Sequence, residues 1–228
     1  MKEFFRSFIR LLFPNVCLLC GNDLREGEEQ ICLTCRADLP YTRLHHELDN
    51  KFEQLFWGQV PVERATALFY FEKGGKVQEM LHQLKYKGNR DMGLLLGRCL
   101  GDEIAGCPVA DVDCIVPVPL HSKRLKSRGY NQSRLIAEGL AEVLQLPVED
   151  GALQRTRANE TQTHKNAWER WRNSEQLFAV GQAEKLCGKR ILLVDDVVTT
   201  GATLASAGKA LLQVPGVQLN FATIAMAL

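Results

Sequence analysis

Residues 191–203 read ILLVDDVVTTGAT and carry the strongest indication of the fold in the chain. Four apolar residues predict a buried strand, two aspartates stand at its carboxyl end, and a Thr-Thr-Gly turn leads into a helix. In open α/β sheets, ligands bind outside the carboxyl ends of the strands. Gly201 lets the backbone approach a ligand closely, and the amides at the start of the next helix suit a phosphate monoester. Asp195 and Asp196 can accept hydrogen bonds from vicinal hydroxyls, such as those of a ribose.

The same stretch resembles, without departure, the phosphoribosyl-diphosphate motif of type I phosphoribosyltransferases. The resemblance implies that Asp195 and Asp196 are the catalytic carboxylates and hold the ribose 2- and 3-hydroxyls. It implies that the following turn binds the 5-phosphate, through Thr199, Thr200, Gly201, Ala202 and Thr203. It also implies that Mg²⁺ bridges the ribose hydroxyls and the pyrophosphate. The alternative, a generic strand–loop–helix unit with an acidic N-cap, does not account for the whole combination.

Strands and helices alternate from residue 65 onward. The apolar spacing predicts strands at 65–71, 112–118, 191–194 and 218–225, and helices at 77–85, 92–104, 131–146 and 202–212. This alternation is typical of an α/β domain with a largely parallel sheet and flanking helices, here of the type I phosphoribosyltransferase fold. We predict two units: residues 1–55, an N-terminal helix with a zinc-ribbon module, and residues 56–228, the phosphoribosyltransferase-like domain.

A cationic stretch follows the second predicted strand. Residues 121–128 read HSKRLKSR, and the next predicted helix begins at Asn131. Guanidinium groups bind phosphate oxygens in bidentate fashion, so Lys123, Arg124 and Arg128 are candidate pyrophosphate ligands. A run of charge on its own is more often a solvated face. Its position between a strand and a helix, in a chain that carries the motif above, favours binding.

A second cationic segment, residues 155–172, has no apolar period and predicts a long loop or hairpin. In type I enzymes a mobile loop at the corresponding place in chain order closes over the reaction centre and excludes water, and the resemblance implies that role here. His164 and Lys165 are candidate pyrophosphate ligands. His164 is also a candidate proton donor or a solvated loop residue, and the sequence leaves this choice open.

Four of the eight cysteines form two Cys-x2-Cys pairs near the N-terminus. Gly21 allows a tight turn after the first pair. Thiolates at this spacing predict a tetrahedral, structural zinc site, with the ligands Cys17, Cys20, Cys32 and Cys35. Two disulfides or incidental cysteines are the alternatives. A secreted disulfide scaffold would be shorter and would need an export signal.

The composition excludes several classes of protein. With 46% apolar and 24% charged residues, the chain can fill a core and is neither disordered nor fibrous. Its net charge of +1 does not favour an autonomous nucleic-acid binder. Residues 4–12 predict an amphipathic helix that covers the protein's own core, with membrane or partner binding as the alternative. No apolar run is long enough to span a membrane, and no export signal is recognisable, so we expect a cytoplasmic protein.

The cysteine pairs, the stretch IVPVPL at 115–120 with RGYNQ at 128–132, the loop at 162–172 and the terminal motif occur in one order. That combination resembles the ComF/GntX family, and the resemblance covers nearly the whole chain. It implies binding of phosphoribosyl diphosphate with Mg²⁺ and a role in DNA uptake, natural competence or the use of DNA as a nutrient. It also makes single-stranded DNA and a DNA-translocating helicase plausible partners, on resemblance alone.

Three functions stay open from the sequence. The chain is a phosphoribosyltransferase with an unknown acceptor such as a nucleobase, a catalytically silent sensor of phosphoribosyl diphosphate that acts on single-stranded DNA, or a zinc-ribbon nucleic-acid adaptor. The Asp195–Asp196 pair and the cationic loop favour retained ligand chemistry. In this fold a variable hood recognises the acceptor. We expect the hood before residue 110, where no base-reading signature occurs.

Overall fold

The computed structural model describes residues 15–156 and 177–227. Its central sheet consists of four strands, β1 (Arg64–Tyr70), β2 (Cys114–Pro117), β5 (Arg190–Val198) and β6 (Gln218–Met226). All neighbours pair in parallel, in the order β1-β6-β5-β2. The predicted α/β class with a parallel sheet is therefore confirmed, and each predicted strand is present.

Two short strands, β3 (Leu153–Arg155) and β4 (Phe178–Val180), form a separate antiparallel pair. They lie on either side of the predicted cationic loop. Residues 157–176 of that loop lie outside the described residues, and so does the helix predicted at 4–12.

Helices flank the sheet on both faces. In chain order they are α1 (Leu33–Ala37), α2 (Lys51–Gln54), α3 (Lys76–Tyr86), α4 (Arg90–Ile104), α5 (Ser122–Arg128), α6 (Gln132–Leu144), α7 (Ala183–Leu186) and α8 (Ala202–Leu211). Short 3-10 turns occur at Leu44–His46 and Pro108–Ala110. The four predicted helices correspond to α3, α4, α6 and α8. Within the described residues, no helix is both long and apolar enough to cross a membrane.

Helix α5 lies in the basic stretch, where the apolar pattern gives no sign of a helix. Its ends are set locally. The backbone N–H of Lys123 donates to the Nδ1 atom of His121, which caps the start at 3.2 Å. Gly129, with a φ of 78°, ends the helix in the left-handed region that glycine adopts without strain.

Strand β5 is longer than the four residues predicted for it. Pairing with β6 continues through the register Val197↔Ala225 and Val198↔Met226, so the ladder extends past both aspartates. The carboxylates therefore lie within the last part of the strand rather than beyond its end.

Helices α4 and α6 cross at very close range on one face of the sheet. A Cβ atom built on Gly97 would lie 2.1 Å from the carbonyl oxygen of Ile136, and one built on Gly139 would lie 2.1 Å from that of Leu94. Only glycine fits at both positions, because the two backbones are in contact. This contact fixes α6, which begins at the functional site.

The cysteine module packs on the outer side of α3 and α4. Cys17, Ile31 and Leu39 belong to the same apolar cluster as the buried face of these helices, and Arg36 forms an ion pair with Asp102 of α4 at 3.0 Å. On the other face of the sheet, the segment around α2 packs with α8. The division of the chain at residue 55 stays a prediction.

Candidate functional site

A cavity of about 830 Å³ opens at the carboxyl ends of the parallel strands. Of the residues predicted to hold the ribose and the 5-phosphate, Asp195, Asp196, Thr199 and Thr203 line it. Residues 118–120, which follow β2, form part of the opposite wall. The cavity is thus built on the strand ends, where the sequence motif indicated a ligand site.

Asp195 accepts two hydrogen bonds through one carboxylate oxygen. The donors are the hydroxyl of Ser133 at 2.9 Å and the backbone N–H of Asp196 at 2.8 Å. Burial and the negative charge of Asp196 nevertheless raise the pKa of Asp195 to about 7. A carboxyl group with so high a pKa binds a proton readily, and a ligand or cation that requires its charged form must displace that proton.

Asp196 is paired with a lysine from the opposite wall. The Nζ atom of Lys85 lies 3.0 Å from its Oδ2 atom, and both side chains are largely buried. Lys85 is in the last turn of α3, and the Tyr130 hydroxyl donates a hydrogen bond to the backbone carbonyl oxygen of the preceding Leu84. The pair is therefore held by packing between α3 and the start of α6.

The turn after β5 requires glycine for two reasons. Gly201 has a φ of 77°, and a Cβ atom built there would lie 2.9 Å from Cε1 of Phe56. Gly201 is also the N-cap of α8, so the unpaired amides of the first turn face the strand ends. Thr200 and Ala202 flank it and complete the turn between the two threonines that line the cavity.

Three arginines supply positive charge to the cavity wall. Arg124 and Arg128 come from α5 and Arg155 from the end of β3. Lys123 is on α5 as well but is not among the residues that line the cavity. The other two predicted pyrophosphate ligands, His164 and Lys165, lie outside the described residues.

The four predicted zinc ligands come together in the cysteine module. The Sγ atoms of Cys17, Cys20, Cys32 and Cys35 all lie within 4.8 Å of one another. Backbone N–H groups donate to two of them, from Cys32 to the Cys17 sulfur at 3.3 Å and from Cys35 to the Cys32 sulfur at 3.4 Å.

The pKa values of two of these thiols, Cys17 and Cys35, are shifted in opposite directions. Burial raises the pKa of Cys17, but N–H donors, that of Cys32 foremost, outweigh it and lower the value to about 6. Burial and the neighbouring sulfurs raise the pKa of Cys35 to about 12. Four thiolates therefore repel one another strongly unless a cation lies between them. This donor set fits a tetrahedral Zn²⁺ ion.

Comparisons with known proteins identify a known domain around each group of residues. Residues 8–45 match the model of the double zinc ribbon domain, and residues 131–226 match that of the phosphoribosyl transferase domain. The chain is 30% identical over 221 residues to the DNA utilization protein YhgH of Escherichia coli K12, covering 89% of this chain and 93% of that protein. The chain belongs to the ComF/GntX family.

Two further similarities accompany that assignment. The competence protein ComFC of Bacillus subtilis is 40% identical over 210 residues, which covers 91% of this ComF/GntX-family chain and 76% of ComFC. Among solved structures, the B. subtilis glutamine phosphoribosylpyrophosphate amidotransferase aligns with a TM-score of 0.44 at 21% identity, over 61% of this chain and 30% of its own.

The sequence did not single out several residues of this family member's cavity. Ser133, Lys85 and Tyr86 line it, yet each occupies an ordinary helical position with no signal of its own. Tyr86 is 66% exposed, and the guanidinium carbon of Arg128 lies 5.2 Å from the centre of its ring. Lys85 and Tyr86 precede residue 110, where we expected the hood.

Proposed function

We propose that this protein is a cytoplasmic, phosphoribosyltransferase-like protein that binds phosphoribosyl diphosphate with Mg²⁺ and serves the uptake or use of DNA. One observation carries the binding proposal: Asp195 and Asp196 share a cavity with the N-terminal end of α8 and with three arginines. This arrangement offers acceptors for hydroxyls in the middle and donors for phosphate on either side. The DNA role is supported by the names of the relatives, a DNA utilization protein and a competence protein.

The 5-phosphate fits the turn after β5. Backbone N–H groups at 199–203, the positive end of the helix dipole and the hydroxyls of Thr199 and Thr203 all favour a dianion there. The ribose then lies over the aspartates. Asp195 keeps one carboxylate oxygen outside its bonds to Ser133 and Asp196, and this oxygen can accept from a ribose hydroxyl.

The pyrophosphate is directed to Arg124, Arg128 and Arg155, whose forked donors match its oxygens. The predicted ligands His164 and Lys165 lie outside the described residues and remain candidates on the sequence alone. Mg²⁺ that arrives with the ligand would neutralise pyrophosphate charge next to Asp195 and Asp196. Lys85 now balances the charge of Asp196, so an incoming cation competes with it.

For transfer, an acceptor nitrogen would form a bond to ribose C1 with its lone pair, and the C1–O bond would break. Pyrophosphate would leave with the bonding electrons, and the acceptor proton would pass to solvent or to pyrophosphate. The positive arginines favour departure of this group. Consumption of phosphoribosyl diphosphate, measured with a panel of nucleobases as acceptors, distinguishes an enzyme from a protein that only binds the compound.

Calorimetry tests the binding proposal directly. We expect Mg²⁺-dependent binding of phosphoribosyl diphosphate and weaker binding of ribose 5-phosphate. Arg124→Gln should weaken the binding of phosphoribosyl diphosphate and leave the affinity for ribose 5-phosphate nearly unchanged. Arg25→Gln, in the distant cysteine module, should change neither affinity. No Mg²⁺-dependent heat with folded protein at millimolar ligand would refute the proposal.

A second candidate, binding of single-stranded DNA, is favoured by the pairing of Tyr86 with Arg128 at the cavity mouth. An exposed ring beside a guanidinium can stack a nucleobase, while Arg124 and Arg128 attract the backbone. Fluorescence anisotropy with a labelled oligonucleotide tests it. Log affinity should fall by about 0.7 per neutralised phosphate for each tenfold rise in salt, and Tyr86→Leu should weaken binding without changing that slope. Absence of binding at low salt would assign the DNA contact to a partner protein.

We also propose that the four cysteines hold one structural zinc ion. The donor set and the match to a double zinc ribbon support this proposal. With four sulfur ligands, no coordination position is left open, so the ion would stabilise the module and take no part in chemistry.

A further inference from the structure

A second group of metal-binding side chains lies far from the four cysteines in the sequence. A ring nitrogen of His45, one of His46 and the Sγ atom of Cys107 all lie within 4.8 Å of one another. The two histidines end one 3-10 turn, and Cys107 precedes the other. The group thus brings together two segments that are distant in the sequence, since 61 positions separate His46 from Cys107.

The group lies at the amino ends of the strands, opposite the phosphate cavity. Arg64, the first residue of β1, donates a hydrogen bond to the carbonyl oxygen of His45 at 3.3 Å. Asn220, near the start of β6, donates to the carbonyl oxygen of Val109 at 3.0 Å. Both turns are therefore attached to the sheet backbone, and the proposed phosphoribosyl diphosphate site does not use either of them.

His45 has an unmet requirement for a partner. Its side chain is only 4% exposed, and its Nε2 atom is buried without a hydrogen-bond partner among the described residues. A buried polar atom without a hydrogen-bond partner destabilises the folded state. An ion bound to this nitrogen would supply the missing partner.

We propose that His45, His46 and Cys107 form a second metal site, for a borderline divalent ion such as Zn²⁺. Imidazole and thiolate together select this class of ion over Mg²⁺ or Ca²⁺, which prefer oxygen ligands. Ligand atoms around tetrahedral zinc lie roughly 3.3–3.7 Å apart, so no pair of ligand atoms has to approach by more than about 1.5 Å. His46 is exposed and Cys107 is partly exposed, so rotation of these two side chains closes the distance.

The site provides three protein ligands and leaves one position for water or a further donor. Because the site is remote from the cavity at the strand ends, the ion has a structural role and cross-links two segments of the chain. It ties the segment that leaves the cysteine module to the turn that follows α4. This metal is additional to the one held by the four cysteines.

Zinc stoichiometry of the full chain tests the proposal. After equilibrium dialysis against buffered Zn²⁺, the wild type should hold about two ions per chain, and Cys107→Ser or His46→Asn should hold about one. Cys187→Ser and His82→Asn are matched controls, because they remove an exposed thiol and an imidazole outside the group; both should hold two. Circular dichroism checks that every variant is folded.

Cobalt substitution gives an independent readout. The second equivalent of Co²⁺ should show thiolate charge-transfer absorption at about a quarter of the intensity of the first, since one sulfur replaces four. The wild type should also melt at a higher temperature as Zn²⁺ rises past one equivalent, and Cys107→Ser should lose that increment. One ion per wild-type chain, or a second ion that persists in the Cys107→Ser, His46→Asn double variant, would overturn the proposal.

Discussion

The cysteine cluster and the aspartate pair both hold ionisable side chains close together, but they balance their charge differently. At the aspartates, the balancing groups are part of the chain: Lys85 pairs with Asp196, and the Ser133 hydroxyl donates to Asp195. At the cysteines, the sulfurs mainly face one another, and the pKa of Cys35 is raised to about 12 by burial and its sulfur neighbours.

This difference predicts how each region responds to its ligand. The aspartate cavity can form without phosphoribosyl diphosphate, because its carboxylates already have partners. The cysteine module is expected to depend on its ion, since deprotonation of four clustered thiols is costly without a cation. Loss of the ligand should therefore leave one region folded and loosen the other.

The largest expected effect is loss of the zinc ligand set. Cys32→Ser removes a buried sulfur that also accepts the Cys35 N–H group. Structural zinc contributes roughly 10–16 kcal/mol of apparent binding free energy in zinc-finger peptides, so residues 15–40 should lose amide protection in hydrogen exchange. The α/β domain should stay folded. Cys187→Ser is the control. Unchanged zinc content in Cys32→Ser would contradict the claim that the cysteine module, unlike the aspartate cavity, depends on its ligand.

Asp195→Asn tests the other side of the comparison. This change keeps the shape of the side chain but removes its charge. It should weaken the binding of phosphoribosyl diphosphate by about 1.5–3 kcal/mol, roughly ten- to a hundredfold in affinity. The melting temperature of the free protein should rise near pH 8, because the buried carboxylate no longer has to be ionised. Calorimetry and thermal unfolding measure the two effects, with Asp91→Asn at an exposed position of α4 as control. Unchanged affinity would place the ribose elsewhere.

Gly201→Ala should damage the phosphate turn through both strain and contact with Phe56. We expect destabilisation by about 1–3 kcal/mol and weaker binding of ribose 5-phosphate. Gly106→Ala separates the two causes, because Gly106 has a φ of 76° but no heavy atom within 4 Å of the added Cβ. If both variants lose the same stability in urea, contact with Phe56 contributes nothing.

The smallest effect is a dependence of affinity on pH. Because the pKa of Asp195 is raised to about 7, a ligand that needs the carboxylate competes with a proton below that value. Affinity should fall about fivefold between pH 7 and pH 6. The ligand has phosphate protons of its own, so Asp195→Asn gives the baseline. Parallel pH profiles for the two proteins would show that Asp195 is already ionised.

The comparison also explains which features could be predicted. The four cysteines lie within residues 17–35 and the motif at 191–203 is continuous, so residue types and spacing were enough to predict a metal site and a ligand site there. The parallel sheet followed from alternating apolar segments. A site can be predicted from the sequence when all of its residues are close together along the chain, as in these two cases.

Only the tertiary structure brought Lys85, Tyr86 and Ser133 to the cavity, and His45 to Cys107. Each of these is a single polar residue on its element. The apolar periodicity of an element indicates which face is buried, but not what its polar residues contact. For the cavity residues, the neighbours depend on how α3, α4 and α6 pack. The close contact of Gly97 of α4 with the α6 backbone fixes the position of α6 in that arrangement. The order of residues along the chain was enough to predict the sheet, the turn after β5 and the cluster of four cysteines. Folding decided how their charges are balanced, because that depends on side chains that meet only across packed helices.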